Sequence, residues 1–105
     1  MTYALDILAL GAHPDDAEVH VGGLLTLASD RGLKAGILDL TAGDLGTRGT
    51  AETRRAEGET SARILGVTRT VLDFPDALFT EDTAYLQRLM EALRTLRPRH
   101  ALRAD

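Results

Sequence analysis

The sequence of 105 residues contains no cysteine and no tryptophan, and only two phenylalanines and two tyrosines. Without cysteine the chain has neither disulfide bonds nor a thiolate metal site. So few aromatic side chains provide no stacking platform for single-stranded nucleic acid. No apolar run approaches the roughly 20 residues that cross a bilayer, and the start of the chain lacks the basic segment of a secretory signal. We therefore expect no nucleic acid partner, no membrane association and a cytoplasmic location.

An excess of positive charge is also lacking. The chain carries 12 Lys and Arg against 16 Asp and Glu, which gives a net charge of -4. Such a balance provides no basic field that would attract a phosphate backbone. The length is typical of one domain with a modest hydrophobic core.

What the sequence does have is a regular alternation of strand and helix patterns. Three apolar runs are typical of strands buried on both faces: Leu5–Gly11, Ala35–Leu40 and Val67–Leu72. A helical pattern follows each of them: Asp16–Arg31, Glu52–Leu65 and Asp82–Leu96. Pro98 stops the last helix, and a fourth strand begins at about His100. The order predicts an α/β fold, a Rossmann-like three-layer parallel sheet with helices on both faces.

Glycine and proline mark the connections between these elements. The segments Thr41–Thr50 and Asp73–Leu78 are predicted loops, and Gly66 is expected to end the second helix. The pair Gly22–Gly23 lies inside the first helix, where each glycine costs about 1 kcal/mol relative to alanine. We expect a close approach of another backbone segment there.

The most informative motif is His13-Pro14-Asp15-Asp16, which follows the first predicted strand. In open α/β sheets, ligands bind at the carboxyl ends of the strands. His13 and Asp16 can share a metal ion if the chain makes one turn between them, which leaves Asp15 as a general base. In the alternative interpretation, both aspartates only cap the following helix and His13 is a loop residue.

The motif and the segments after it resemble the PIG-L/LmbE family of zinc-dependent N-deacetylases. The later segments are similar to the branch that deacetylates N-acetylglucosaminyl malate in bacillithiol synthesis. The resemblance rests on several stretches in the same order: Gly11–Glu18, Gly22–Gly23, Gly36–Thr50, Glu52, Arg54, Ala62–Gly66 and Phe74–Asp76.

This resemblance implies a hydrolase that removes the acetyl group from an N-acetylglucosamine-type glycoside and releases acetate. It implies that His13 and Asp16 hold Zn²⁺, although other divalent metals also suit these ligands. Asp15 is implied as the general base for a metal-bound water that attacks the amide. Arg54 matches an arginine that lines the substrate site. The partner is then a small acetylated amino sugar, and ring-forming relatives make a homo-oligomer possible.

One element of the family pattern is absent from these 105 residues. The third zinc ligand of the family is a histidine in an H-P-x-H motif, which this sequence lacks. Residues 1–105 are therefore expected to be the amino-terminal portion of a single deacetylase domain, truncated at the carboxyl end. His20, one helical turn after Asp16, and His100 are the other histidines that could approach a metal.

The predicted loop after the second strand contains further candidates. It has neither a dinucleotide glycine fingerprint nor a phosphate-loop lysine, so it is interpreted as a loop beside the substrate. Asp44 and Arg48 could contact sugar hydroxyls or a carboxylate, and the planar fork of Arg48 suits malate. A solvated loop is the alternative. Two other functional classes stay open: a nucleotide-binding Rossmann-like module and a non-catalytic interaction fragment.

Overall fold

The computed structural model describes residues 2–13, 16–41, 50–74 and 83–104. Four strands make up one sheet: β1 (Leu5–Gly11), β2 (Ala35–Thr41), β3 (Thr68–Phe74) and β4 (Pro98–Arg103). Three helices alternate with them: α1 (Asp16–Asp30), α2 (Ala51–Leu65) and α3 (Thr83–Leu96). The predicted α/β alternation is confirmed.

The sheet is parallel, with the strand order β3-β2-β1-β4. The chain adds β2 and β3 on one side of β1, and then returns through α3 to place β4 on the other side. The order of addition reverses at β1, and in such sheets a crevice opens beside the carboxyl ends of the strands at that point. The motif that follows β1 is therefore at the position where this fold binds ligands.

Two separate hydrophobic clusters cover the two faces of the sheet. On one face, Leu25 and Ala28 of α1 pack with Ala9 and Ile37 of the central strands. On the other face, Leu8 and Leu38 pack against the apolar stripe of α3. Helices on both faces give the three layers predicted from the sequence, and the central strands β1 and β2 carry the core.

Helix α2 has a well-defined start and end. Thr50 caps the start, because its hydroxyl oxygen accepts the backbone N–H of Thr53 at 3.1 Å. Gly66 ends the helix in a left-handed conformation with φ of 75°, as the sequence predicts. The hydroxyl of Ser29 in α1 donates to the carbonyl oxygen of Gly66 at 3.0 Å and joins the two helices.

Helix α1 is kinked rather than continuous. Val21 has non-helical angles, with φ of -132° and ψ of 16°, just before the glycine pair. The expectation of a close backbone approach at Gly22 and Gly23 is wrong within the described part of the chain, because a Cβ on either glycine would meet nothing within 4 Å. The glycine pair directly follows the kink, and glycine is common at the kinks of helices.

Several strand boundaries also differ from the prediction. Strand β2 includes Thr41, which was predicted as a loop residue, and β3 begins at Thr68, one residue later than predicted. Strand β3 extends to Phe74, beyond the predicted end at Leu72, because its pairing with β2 continues past an irregularity to Thr41. Strand β4 begins at Pro98, two residues before His100, and pairs with Leu5 at its start. A proline is tolerated at the first residue of a strand, where no ladder N–H is required.

Within the described ranges, no helix has the length and apolar character that a bilayer span requires.

Replacing Gly66 with alanine is expected to destabilise the protein. A Cβ there would collide with the Ser29 hydroxyl oxygen, and the left-handed conformation costs an L-residue about 1–2 kcal/mol. The free energy of unfolding, measured in urea, should fall by at least that amount. The control is Gly23→Ala, which meets no neighbour and is expected to be neutral or slightly stabilising. Equal stability of the two variants would contradict this account of the helix end.

Candidate active site

His13 and Asp16 come together where β1 ends and α1 begins. The backbone N–H of His13 donates to Asp16 Oδ2 at 3.0 Å, and the backbone N–H of Asp16 faces the His13 carbonyl oxygen at 3.3 Å. The imidazole Nδ1 of His13 is 3.9 Å from the same Oδ2. Both side chains reach solvent, with 49% and 28% of their surfaces exposed. The single turn predicted between the two residues is present.

Neighbouring strands fix the backbone under this pair. Thr41, at the end of β2, donates to the carbonyl oxygen of Ala12 through both its backbone N–H at 3.1 Å and its hydroxyl at 2.9 Å. Gly11 lies directly beneath Asp16, because a Cβ on Gly11 would be 3.0 Å from the Cβ of Asp16. The absence of a side chain at Gly11 therefore allows the carboxylate of Asp16 to lie over the end of the central strand.

The pair suits a zinc ion in its chemistry and its spacing. Imidazole nitrogen and carboxylate oxygen are common zinc ligands, and two ligands of a tetrahedral zinc lie about 3.4 Å apart. The observed separation of 3.9 Å between Nδ1 and Oδ2 is close to that value. Among the described residues, no group of three or more His, Asp or Glu side chains could hold a metal. A zinc site that used His13 and Asp16 would therefore require a third ligand in addition to these two residues.

The other predicted site residues are not all within the described ranges. Asp15, the predicted base, lies outside them, as do Asp44 and Arg48 of the segment between β2 and α2. Arg54 lies in the first turn of α2 and is half-buried. The structure therefore brings together the two predicted metal ligands and places Arg54 in the helix after that segment.

The two remaining histidines do not complete the site. The Nδ1 atom of His20 is 2.8 Å from the backbone carbonyl oxygen of Asp16, so this ring is bound to its own helix. His100 lies opposite Ile7 in the register of β4 and β1, four positions before Gly11. At about 3.3 Å per residue, that places His100 roughly 13 Å from the carboxyl end of the sheet.

Sequence reasoning did not single out a buried ion cluster next to this site, formed by Glu18, Asp39 and Arg69. The Nε of Arg69 donates to Asp39 Oδ2 at 2.6 Å, and its terminal nitrogens donate to the two oxygens of Glu18 at 2.7 and 3.2 Å. One terminal nitrogen also donates to the carbonyl oxygen of Gly58 at 3.2 Å. The exposed fractions of the Arg69, Asp39 and Glu18 side chains are 6%, 0% and 16%.

The cluster contains two carboxylates and one cation, so its charges do not cancel. Burial raises the pKa of Asp39 to about 6; hydrogen bonding and charge from Arg69 oppose this rise, while the charges of Glu18 and Asp16 add to it. Burial also acts to raise the pKa of Glu18, but the interactions with Arg69 and Ser61 outweigh it and leave that pKa below its ordinary value. The second oxygen of Asp39, Oδ1, is buried without a hydrogen-bond partner in the described part of the chain.

Weak signals of this cluster are present in the sequence. Asp39 interrupts an otherwise apolar strand, and a charged residue inside a strand buried on both faces requires a partner. The partner could not be identified from local pattern, because Arg69 is 30 residues from Asp39 and 51 residues from Glu18. Only the sheet order, which places β3 beside β2, brings them together.

The fold and the site define an α/β protein that carries a His–Asp pair at the topological switch point of a parallel sheet. The family described as GlcNAc-PI de-N-acetylase, PIG-L, matches residues 8–105, and the chain belongs to that family.

Several relatives share both sequence and fold. The diacetylchitobiose deacetylase of Thermococcus kodakarensis is 31% identical over 94% of this chain and 40% of its own length. The conserved protein TT1542 from Thermus thermophilus superposes with a TM-score of 0.87 at 45% identity, over 92% of this chain and 44% of its own. The N,N'-diacetylchitobiose deacetylase from Pyrococcus horikoshii superposes with a TM-score of 0.83 at 30% identity, over 91% of this chain and 39% of its own. The chain thus spans less than half the length of these relatives.

Replacing Gly11 with alanine is expected to displace Asp16. The added Cβ would lie 3.0 Å from the Cβ of Asp16 and 3.4 Å from the carbonyl oxygen of His13. Overpacking of this kind costs about 1–3 kcal/mol of stability. With Asp16 as the predicted metal ligand, its displacement should also weaken metal binding by about tenfold or more, measured by titration with Co²⁺.

The matched control for this substitution is Gly36→Ala in β2. Its Cβ would also meet neighbours at 3.0 Å, namely Leu5 and Thr68, which are remote from the His13–Asp16 pair. Gly36→Ala should reduce stability and leave Co²⁺ affinity unchanged. If the two variants lost affinity to the same extent, the effect would be one of general stability and not of ligand position.

The raised pKa of Asp39 predicts a specific dependence of stability on pH. The folded state holds this proton more tightly than the unfolded state, whose ordinary value is 3.8, so the stabilisation is complete below pH 3.8 and is lost as pH rises through about 6. Over this window the loss can reach about 3 kcal/mol. Asp39→Asn should remove this contribution and flatten the curve of unfolding free energy from pH 4 to about 7. If the unfolding free energies of the unaltered protein and Asp39→Asn, measured in urea, changed in parallel with pH, Asp39 would not be the source of this pH dependence.

Proposed function

We propose that the chain carries the amino-terminal half of the active site of a zinc-dependent N-deacetylase that acts on an N-acetylglucosamine-type glycoside. The observation that carries this proposal is the convergence of His13 and Asp16 at the carboxyl end of β1. Membership of the PIG-L family supports an amide hydrolase over a nucleotide-binding module or a non-catalytic fragment of the same fold.

Each residue of the motif has a separate role in this proposal. His13 Nδ1 and Asp16 Oδ2 would hold the metal, together with a third ligand from outside the described residues. A zinc ion held there would act as a Lewis acid that acidifies a bound water molecule and polarises the acetyl carbonyl. Asp15 would accept a proton from the attacking water. Asp15 and Asp16 follow His13 by two and three residues in the sequence. One short motif would therefore provide both a proton acceptor and a second metal ligand.

The proposed substrate follows from the named relatives and from the arginines. Two relatives are named as diacetylchitobiose deacetylases, which supports an N-acetylglucosamine unit as the reacting group. Within this class we propose N-acetylglucosaminyl malate as the substrate. Arg54 at the start of α2 and Arg48 in the preceding loop would bind the malate carboxylates, because guanidinium pairs with carboxylate through two parallel hydrogen bonds.

The test is acetate release in the presence of Zn²⁺ by a purified protein that contains residues 1–105 together with the third ligand, with N-acetylglucosaminyl malate and N,N'-diacetylchitobiose offered separately. We expect His13→Ala and Asp16→Asn to lose bound zinc and activity together. Asp15→Asn should retain zinc and lose about 100-fold or more in kcat, since general base catalysis contributes that much. Arg54→Met should raise KM for the malate glycoside more than for the chitobiose derivative.

The control for these variants is Asp30→Asn, at the far end of the same helix, which should leave zinc content and kcat unchanged. Zinc that stays bound in Asp16→Asn would exclude this carboxylate as a ligand. If acetate were released only from N,N'-diacetylchitobiose, the proposed deacetylase activity would stand and the malate glycoside would be excluded as its substrate.

A further inference from the structure

A kink divides α1 into a first part, which carries Asp16, and the remainder of the helix. The kink at Val21 interrupts the regular geometry five residues after Asp16. The first turn contacts the core through Ala17, which is fully buried in the same cluster as Leu25 and Ala28 of the later turns. Because burial of a methyl group is not directional, a further restraint is needed to fix the orientation of the turn that carries Asp16.

The cluster of Glu18, Asp39 and Arg69 supplies that restraint. Glu18 is two residues after Asp16 and receives both terminal nitrogens of Arg69 in a forked pair. The same guanidinium is fixed to β2 through Asp39 and to α2 through the carbonyl oxygen of Gly58. A two-point pair of this kind restricts rotation as well as translation, because guanidinium and carboxylate are both planar.

The restraint reaches the metal site through a short path. Asp39 lies opposite Gly11 in the register of β1 and β2, and Gly11 lies beneath Asp16. The cluster thus connects the first turn of α1 to β2, the neighbour of the strand that precedes His13. Rotation of this turn would move Asp16 Oδ2 away from the His13 N–H that it accepts at 3.0 Å.

We propose that Arg69 is a positioning residue of the metal site, which sets the orientation of Asp16 by fixing Glu18 to the end of β2. This inference rests on the proposed role of Asp16 as a metal ligand. Arg69 itself contacts neither His13 nor Asp16 through the hydrogen bonds described above; it acts through Glu18.

The experiment compares Arg69→Lys and Glu18→Gln with a matched control, Arg88→Lys. Lysine cannot reproduce a fork, and glutamine keeps the shape of Glu18 with only one accepting oxygen. Arg88 is a suitable control because its guanidinium also donates to a strand carbonyl, that of Leu72, and lies over the ring of Phe74. Both contacts of Arg88 involve β3 and not α1.

The first measurement is the hydrogen exchange rate of the His13 backbone amide in the metal-free protein, monitored by NMR. Loss of the restraint should speed this exchange about tenfold in Arg69→Lys and Glu18→Gln, as expected for a lost hydrogen bond, and leave it unchanged in Arg88→Lys. The second measurement is Co²⁺ affinity, which should fall about 10-fold or more in the same two variants.

Each result decides between two explanations. Unchanged His13 exchange in both folded variants would overturn the inference, whatever the metal affinity. Faster exchange spread equally over the amides of α1, β1 and β2 would also overturn it, because Arg69 would then act on stability alone. If the unaltered protein bound no Co²⁺ while His13 exchange still depended on Arg69, the proposed metal function would fail and the restraint on the turn would remain.

Discussion

The whole site depends on the central position of β1 in the sheet. This strand is paired on one side with β2 and on the other with β4, so its end cannot shift without disturbing both neighbours. Thr41 of β2 holds the carbonyl oxygen of Ala12, and the backbone N–H of Ala104 donates to Leu10 at 2.8 Å on the opposite side. His13 is the next residue after this braced segment. A predicted metal ligand, which must be held within about 0.5 Å of its working position, thus follows a strand that is paired on both sides.

A buried cluster of charges beside that strand is an unusual feature for stability alone. Removing charges from water costs several kcal/mol per ion, and apolar residues of similar volume often serve stability as well or better. Here the guanidinium of Arg69 contacts three elements at once: its Nε donates to β2, and one terminal nitrogen donates to both α1 and α2. Specific orientation, more than packing, is what such an arrangement provides.

The sequence is sufficient to predict features that depend on neighbouring residues. The apolar runs predicted β1 and β2, Gly66 predicted the end of α2, and the motif after β1 predicted the pairing of His13 with Asp16. Features that depend on distant residues were not accessible. The extension of β3 to Phe74 depends on its pairing with β2, and the kink at Val21 has no unique local signature. Likewise, the partner of Asp39 is determined by sheet order, which periodicity alone does not specify. The roles of all the predicted site residues stay predictions: His13, Asp15, Asp16, Asp44, Arg48 and Arg54.

The kink in α1 has a consequence for the entropy of ligand binding. A helical turn that is detached from its helix samples more conformations, and a ligand that needs it ordered would bear that entropic cost on binding. In this fold the turn is already tied to β2 and α2 before any ligand arrives, so the loss of conformational freedom occurs during folding. A binding site ordered in advance captures its ligand with an affinity that reflects the contacts themselves. On one side of the bend the later turns bury Leu25 and Ala28, and on the other side the first turn buries Ala17 and presents a carboxylate.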